Sequence, residues 1–363
     1  MLQLKFPKHV EDLSADLLTQ ALADMRPGVE VEGFSVVETI NCESGFASTA
    51  DRVVLDLHYR EGASQGLPAR VLLKTMLTAP HAPGVMYAAE VRFYRELRPT
   101  LKIEAPQAFA GVADEASGQF GILMEDLSLR DVVFPNATME ISLDQVRSVL
   151  RNLAVIHAQY WESPRLADDL AWLCTPAGGG VNDFFKEILP LIQGHLDAGP
   201  WRQEMLEPLG RSAESLFADM LRLQETALEH GPRTLLHGDT HLGNTYLVPD
   251  GTVGLLDFQL TMQGCFSRDL TYFLMTALDT EQRRQHEADL IRFYLDELRS
   301  RGVSNAPTFD DAWLLHRQSA LWGLVIGWMS CPTENYGRKI TEANLQRLIA
   351  AVDDLEALKV VPD

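Results

Sequence analysis

Two short apolar runs, Leu235-Leu236 and Gly254-Leu255-Leu256, constrain this chain more than any other feature. Each is too short for a helix and is bounded by polar residues and glycine, so each reads as a buried strand. Each also ends in a carboxylate. The first continues as His237-Gly238-Asp239-Thr240-His241-Leu242-Gly243-Asn244 and the second as Asp257-Phe258-Gln259. Asp239 is placed to take a proton from a hydroxyl. Asn244 and Asp257 offer hard oxygen ligands of the kind Mg²⁺ prefers.

A second charged pair lies upstream. Lys74 sits inside the apolar run Val71-Leu72-Leu73, where a buried ammonium without a partner is costly. Glu90 follows sixteen residues later, on a helix expected over Ala88–Leu97, and is its natural counter-charge. Strands are expected over Gly33–Ile40, over Ala50–Tyr59 with Val53, Leu55 and Leu57 on one face, over Arg70–Met76 and over Phe120–Glu125. A helix is expected over residues 9–25. Beyond Leu127 the spacing becomes helical. Ser142 and Gln145 form a capping box that opens a helix to about Trp161, and further helices are expected near 209–230, 281–301, 310–330 and 341–358. The fold class that follows is α+β. A small antiparallel-sheet unit spans 1–125, and a larger, mainly helical unit spans 126–363 with a helical insert at about 160–232.

The order His-Gly-Asp-x-His-x-x-Asn followed by a strand and Asp-Phe-Gln resembles the catalytic and metal loops of the kinase-like small-molecule phosphotransferases. These are the aminoglycoside phosphotransferases, the choline kinases and the ecdysteroid-kinase-like proteins. Asp-Phe-Gln and the segment Ala154-Val155-Ile156-His157-Ala158-Gln159-Tyr160-Trp161 are most similar to the last branch. The matching pieces run from about residue 35 to residue 275. The resemblance implies a bilobal protein-kinase-like fold and an ATP- and Mg²⁺-dependent transfer of phosphoryl to a small-molecule alcohol, a reaction that rests on positioning and charge neutralisation. It implies Asp239 as the proton acceptor, Asn244 and Asp257 as metal ligands, and Lys74, held by Glu90, on the phosphates. It also implies adenine against the Glu125 carbonyl and the Leu127 amide, with Met124 behind it. The loop Asn41–Thr49 stands where a phosphate-covering loop belongs. It has one glycine, Gly45, and offers the Ser44, Ser48 and Thr49 hydroxyls and backbone N–H groups. Gln259 replaces the glycine of protein kinases and removes an easy positive-φ hinge. The rival reading is a catalytically silent nucleotide-binding interaction protein.

The two histidines invite a zinc reading. Gly238 and the preceding strand argue against a helical metal pair, and no acidic or cysteine partner follows at ligand spacing. His237 is therefore expected to be structural, bonded to backbone or to Asp257, and His241 to organise the loop. Asp269 is expected to brace the catalytic loop from a helix N-terminus. The net charge of −20 leaves no basic patch for nucleic acid or an anionic membrane. It is spread along the chain, so it does not argue for a cationic substrate. No run of 18 apolar residues exists, the N-terminus lacks a secretory pattern, and four well-separated cysteines suit a cytoplasmic protein with reduced thiols. The aromatics Trp161, Trp172, Phe184, Phe185, Trp201, Trp322 and Trp328 are candidates for an acceptor pocket, most of them as core. With no dense acidic cluster in 160–232, a bulky, partly apolar alcohol is the preferred acceptor.

Overall fold

The computed structural model describes residues 4–42, 49–77, 83–114 and 117–362. Its contacts divide the chain into two compact units, residues 1–101 with 105–132, and residues 102–104 with 133–363.

In the first unit helix α1 (Ala15–Ala23) precedes strands β1 (Val31–Ile40), β2 (Asp51–Tyr59) and β3 (Arg70–Thr75). Helix α2 (Gly84–Arg92) runs on as a π-helical turn over Phe93–Leu97, and strands β4 (Ala108–Asp114) and β5 (Gln119–Met124) close the unit. The five strands form one antiparallel sheet in the order β1-β2-β3-β5-β4. The alternation in β2 does what the sequence expects: Val53, Leu55 and Leu57 are buried together with Val71 and Leu73 of β3 and Leu18 and Leu22 of α1. Each such side chain contributes roughly 1.5–3 kcal/mol by leaving water. Two expectations change. Strand β4 is not foreshadowed by periodicity, because Ala108-Phe109-Ala110-Gly111 is buried throughout and shows no polar alternation. Helix α2 begins earlier than expected, which moves Glu90 from a first turn to a last one.

The second unit opens with helix α3 (Leu143–Tyr160), whose Ser142–Gln145 capping box is complete. Helices α4 (Val181–Lys186), α5 (Leu189–Ala198), α6 (Pro200–Leu206) and α7 (Ala213–His230) follow. Two small antiparallel pairs come next, β6 (Arg233–Leu236) with β9 (Met262–Cys265), and β7 (Thr245–Leu247) with β8 (Val253–Leu255). Helix α8 (Ser267–Ala277) is buried along its whole length, so it is the core around which the unit is built. Helix α9 (Thr280–Ser300) packs on α3, and α10 (Phe309–Trp322) packs on α8 and α7. The last continues as a π-helical stretch over Gly323–Met329, followed by α11 (Thr333–Tyr336) and α12 (Arg338–Asp354). Among the described residues no helix is long and apolar enough to cross a membrane.

Candidate functional site

Strand β6 delivers the loop 237–244, and its geometry follows from one glycine. Gly238 has φ +87°, and a Cβ there would stand 2.0 Å from the Leu260 carbonyl oxygen, so no other residue fits. His237 Nε2 lies 2.8 Å from the Leu256 carbonyl, while its Nδ1 accepts the Asp239 N–H at 3.2 Å. Those partners require the tautomer with hydrogen on Nε2. The structural role expected of His237 is thus met by backbone on both sides.

Asp269, the third residue of α8, holds the loop from below. Its carboxylate accepts the N–H groups of His237 at 2.7 Å and Gly238 at 2.9 Å, and its carbonyl accepts the Thr240 hydroxyl. His157 Nε2 of α3 is 3.2 Å from the same carboxylate, and His157 Nδ1 is 2.6 Å from the Tyr294 hydroxyl of α9. Burial alone would raise the Asp269 carboxyl, but His157, His237 and the Gly238 N–H outweigh it and hold the group below its usual range. The bracing role expected of this residue is what its bonds describe.

Asp239 stands at the tip with 18% of its side chain exposed. Asn244 donates through Nδ2 to the Asp239 carbonyl at 2.9 Å and to its carboxylate at 3.0 Å. Both carboxamide hydrogens are then used, and Asn244 Oδ1 is the atom left for coordination. Leu256 N–H bonds the Asn244 carbonyl at 2.8 Å, which stitches the two loops together just before Asp257. Asp257 itself has φ 58° and ψ 72°, a left-handed conformation that a non-glycine residue keeps only where its surroundings fix it. The positive φ thus lies at the carboxylate and not at Gln259, which sits buried in a 3₁₀ turn over Phe258–Leu260.

Burial, and then the charge of Asp257, push the Asp239 carboxyl up to about 6, with His237, Asn244 and Arg268 pulling the other way. The site therefore carries more negative charge than it solvates. A divalent cation would relieve that imbalance, and the Asp257 carboxylate with the Asn244 carboxamide oxygen suits Mg²⁺, which keeps further positions for water and phosphate. Among the described residues no group of three or more His, Cys, Asp or Glu forms a metal site of its own.

His241 stands 4.0 Å from Asp239 and accepts the Gly243 N–H on Nδ1. Burial lowers it to about 4, so it is neutral at pH 7 and organises the loop as a polar ring. Around it gather Tyr272, Trp328 and Tyr336, with ring centroids within 6.0 Å. Gly323 and Gly327 leave the room that Tyr272 fills. Burial first, together with the charge of Asp239, raises the phenols of Tyr272 and Tyr336 well above their usual value, so both stay protonated. The rings around His241 thus come from α8 and the chain after α10. Of the seven aromatics singled out from sequence, only Trp328 is among them. Phe184 is exposed, and Trp322 packs against Tyr272 and Arg268. Tyr272 and Tyr336 carry no local signal, since only the fold brings positions 64 apart to one ring group.

In the first unit Lys74 Nζ lies 2.9 Å and 2.8 Å from the two oxygens of Glu90, and both side chains are buried. Met124 ends β5, buried and paired with Leu72 and Ala108. The Glu125 N–H bonds the Gln107 carbonyl, its carboxylate pairs with Arg130, and Leu127 is buried at the start of a 3₁₀ turn. Ser44 and Gly45 lie outside the described residues.

Solved structures share this kinase-like fold. The crystal structure of choline kinase from Cryptosporidium parvum Iowa II is 12% identical, with 96% of this chain and 98% of that chain covered at a TM-score of 0.53. Plasmodium vivax ethanolamine kinase is 10% identical, with 88% and 81% covered at a TM-score of 0.52. At such identities the likeness is one of fold. No curated protein matches the chain in sequence. Residues 60–303 match the phosphotransferase enzyme family, and the chain belongs to that family.

Proposed function

We propose that the protein is an ATP- and Mg²⁺-dependent phosphotransferase that phosphorylates a hydroxyl group of a small organic molecule. One observation carries the reading. Asp239 is a carboxylate raised to about 6, oriented by Asn244, partly exposed, and beside a second carboxylate, Asp257. A group with that proton affinity is ionised at neutral pH and still basic enough to accept a hydroxyl proton as the oxygen attacks. Asn244 Oδ1 and Asp257 hold the metal. Lys74, fixed by Glu90, binds the phosphates, and Met124, Glu125 and Leu127 receive the adenine. ATP would supply the transferable phosphoryl group, and Mg²⁺ with Lys74 would neutralise the charge that develops on it. His237 and Asp269 keep the loop in place and take no part in proton transfer.

The acceptor we favour is a bulky, partly apolar alcohol, because the rings of Tyr272, Trp328 and Tyr336 gather around His241, which stands 4.0 Å from Asp239. An amino alcohol is the second reading, favoured by the charge of Asp239 and Asp257 felt at the Tyr336 ring. The Asp-Phe-Gln motif supports a place near the ecdysteroid-kinase-like branch. The test is to incubate the protein with ATP, Mg²⁺ and a library of metabolites and natural-product alcohols and to read masses of phosphorylated products. A product that vanishes with Asp239→Asn supports the reading. Nucleotide binding without any phosphorylated product across the library would favour the silent-protein alternative.

A further inference from the structure

The ribbon formed by β7 and β8 has three residues on each strand, too few to hold a position unaided. Asn244 immediately precedes β7, and Asp257 lies two residues beyond β8. Whatever fixes the ribbon therefore fixes the spacing of these two side chains. The outer edge of β8 shows what does so. The Val253 N–H donates to Ser148 Oγ at 3.0 Å, and Asn152 Nδ2 donates to the Val253 carbonyl at 2.8 Å, both partners standing on α3. The Leu255 N–H, two residues before Asp257, donates to the Glu104 carbonyl at 3.0 Å.

Glu104 reaches the other strand as well. Its carboxylate accepts the hydroxyl of Tyr246, two residues after Asn244, at 2.6 Å, a short charge-assisted bond. The Tyr246 ring is fully buried and lies across Gly254, where a Cβ would stand 2.2 Å from Cζ, so only glycine leaves the ring its place. The Glu104 N–H meets Asn152 Oδ1 at 3.4 Å, which closes the circle through α3. Arg98 donates to the Leu101 carbonyl at 3.2 Å and to the Ala105 carbonyl at 2.7 Å, so Lys102–Glu104 is a finger braced at both ends. That finger belongs to the helical unit, although the chain on either side of it belongs to the sheet unit.

We propose that Glu104 is a positioning residue for the metal pair: by clasping Tyr246 and Leu255 it sets the reach of Asn244 and Asp257 toward Mg²⁺. The proposal rests on the reading that those two residues hold the metal. Glu104 acts through the ribbon and not as a ligand.

The test is calorimetric ATP binding to the full chain across a Mg²⁺ titration, with adenosine as the metal-independent control. Tyr246→Phe keeps the ring and removes the hydroxyl, and Glu104→Ala removes the carboxylate while leaving the backbone bond to Leu255. Each should raise the Mg²⁺ concentration for half-maximal ATP binding by at least ~5-fold, short of the ~10–100-fold typical of groups bonded directly to a metal ligand. Glu104→Gln keeps an acceptor oxygen for the phenol and should recover most of that loss. The double variant should be no worse than the worse single one, because both remove the same bond. Adenosine affinity should not move, whereas a general loosening of the protein would not spare it. The proposal is overturned if either single variant keeps the wild-type Mg²⁺ dependence, if their effects add, if Glu104→Gln falls as far as Glu104→Ala, or if adenosine weakens alongside ATP. Asp257→Ala separates it from the metal reading. Should that variant abolish the Mg²⁺ dependence while Tyr246→Phe leaves it untouched, the proposal alone fails. Should Asp257→Ala keep the dependence, the metal reading fails and the proposal with it.

Discussion

Asp239→Asn should leave the protein more stable at neutral pH while removing its turnover. The carboxyl titrates at about 6 in the fold, against an ordinary value of 3.8. At ~1.4 kcal/mol per pH unit, ionising it in place opposes folding by about 3 kcal/mol once the pH exceeds both values. The sign follows from the direction. A carboxyl raised by folding favours the protonated native state, so its burden is absent below about 4, grows as pH rises to about 6, and is constant above. Asparagine removes it at every pH but turns one acceptor oxygen into a donor that faces Asn244 Nδ2. A net gain of ~1–2 kcal/mol at pH 7.5 is therefore expected, reversing to a loss of ~1 kcal/mol at pH 4, where the burden is nearly gone but the lost acceptor still costs ~1–2 kcal/mol. For a unit of this size that is a rise of a few degrees in melting temperature, at ~2–4 °C per kcal/mol. Thermal melts of both proteins at pH 4, 6 and 7.5 read it directly. A variant less stable than wild type at pH 7.5, or a difference that ignores pH, would falsify the electrostatic reading of this loop. Turnover of the variant should meanwhile fall by at least ~100-fold.

Asp257→Ala should abolish the Mg²⁺ dependence of ATP binding, checked by titrating nucleotide with and without the metal; unchanged dependence would place the metal elsewhere. Lys74→Ala should weaken ATP much more than adenosine, and equal weakening of both would make the lysine purely structural. Asp269→Asn should destabilise by ~3–5 kcal/mol, because a buried group loses charge-assisted bonds to two N–H groups and to His157. Melting and urea unfolding check this, and an effect below 1 kcal/mol would show the loop to be held by something else.

Much of this was legible because local chemistry is decisive where a backbone has few choices. Gly238 fixes a positive φ, Ser142 with Gln145 opens α3, and β2 shows its buried face in the spacing of Val53, Leu55 and Leu57. Strand β4 was hidden because burial on both faces erases the alternation that marks a strand. The ring group at His241 was hidden for a different reason, since Tyr272 and Tyr336 meet only through the packing of α8 against the chain after α10. All three rings follow the loop in the chain, so the aromatic stretch before it, 160–232, gave no sign of them.

The line from Tyr294 through His157 to Asp269 ties the tip of the loop to two helices that are distant in sequence. The His237 and Gly238 amides end on that carboxylate, so their hydrogens are shielded only while α3, α8 and α9 are assembled together. The support beneath the Asp239 loop is consequently complete only when residues of α3, α8 and α9 are all in place. A chain halted during synthesis before residue 294 has every motif residue yet lacks the hydroxyl that completes the support. Amide exchange at positions 237 and 238 thus serves as a gauge of whether α3, α8 and α9 have closed around that carboxylate.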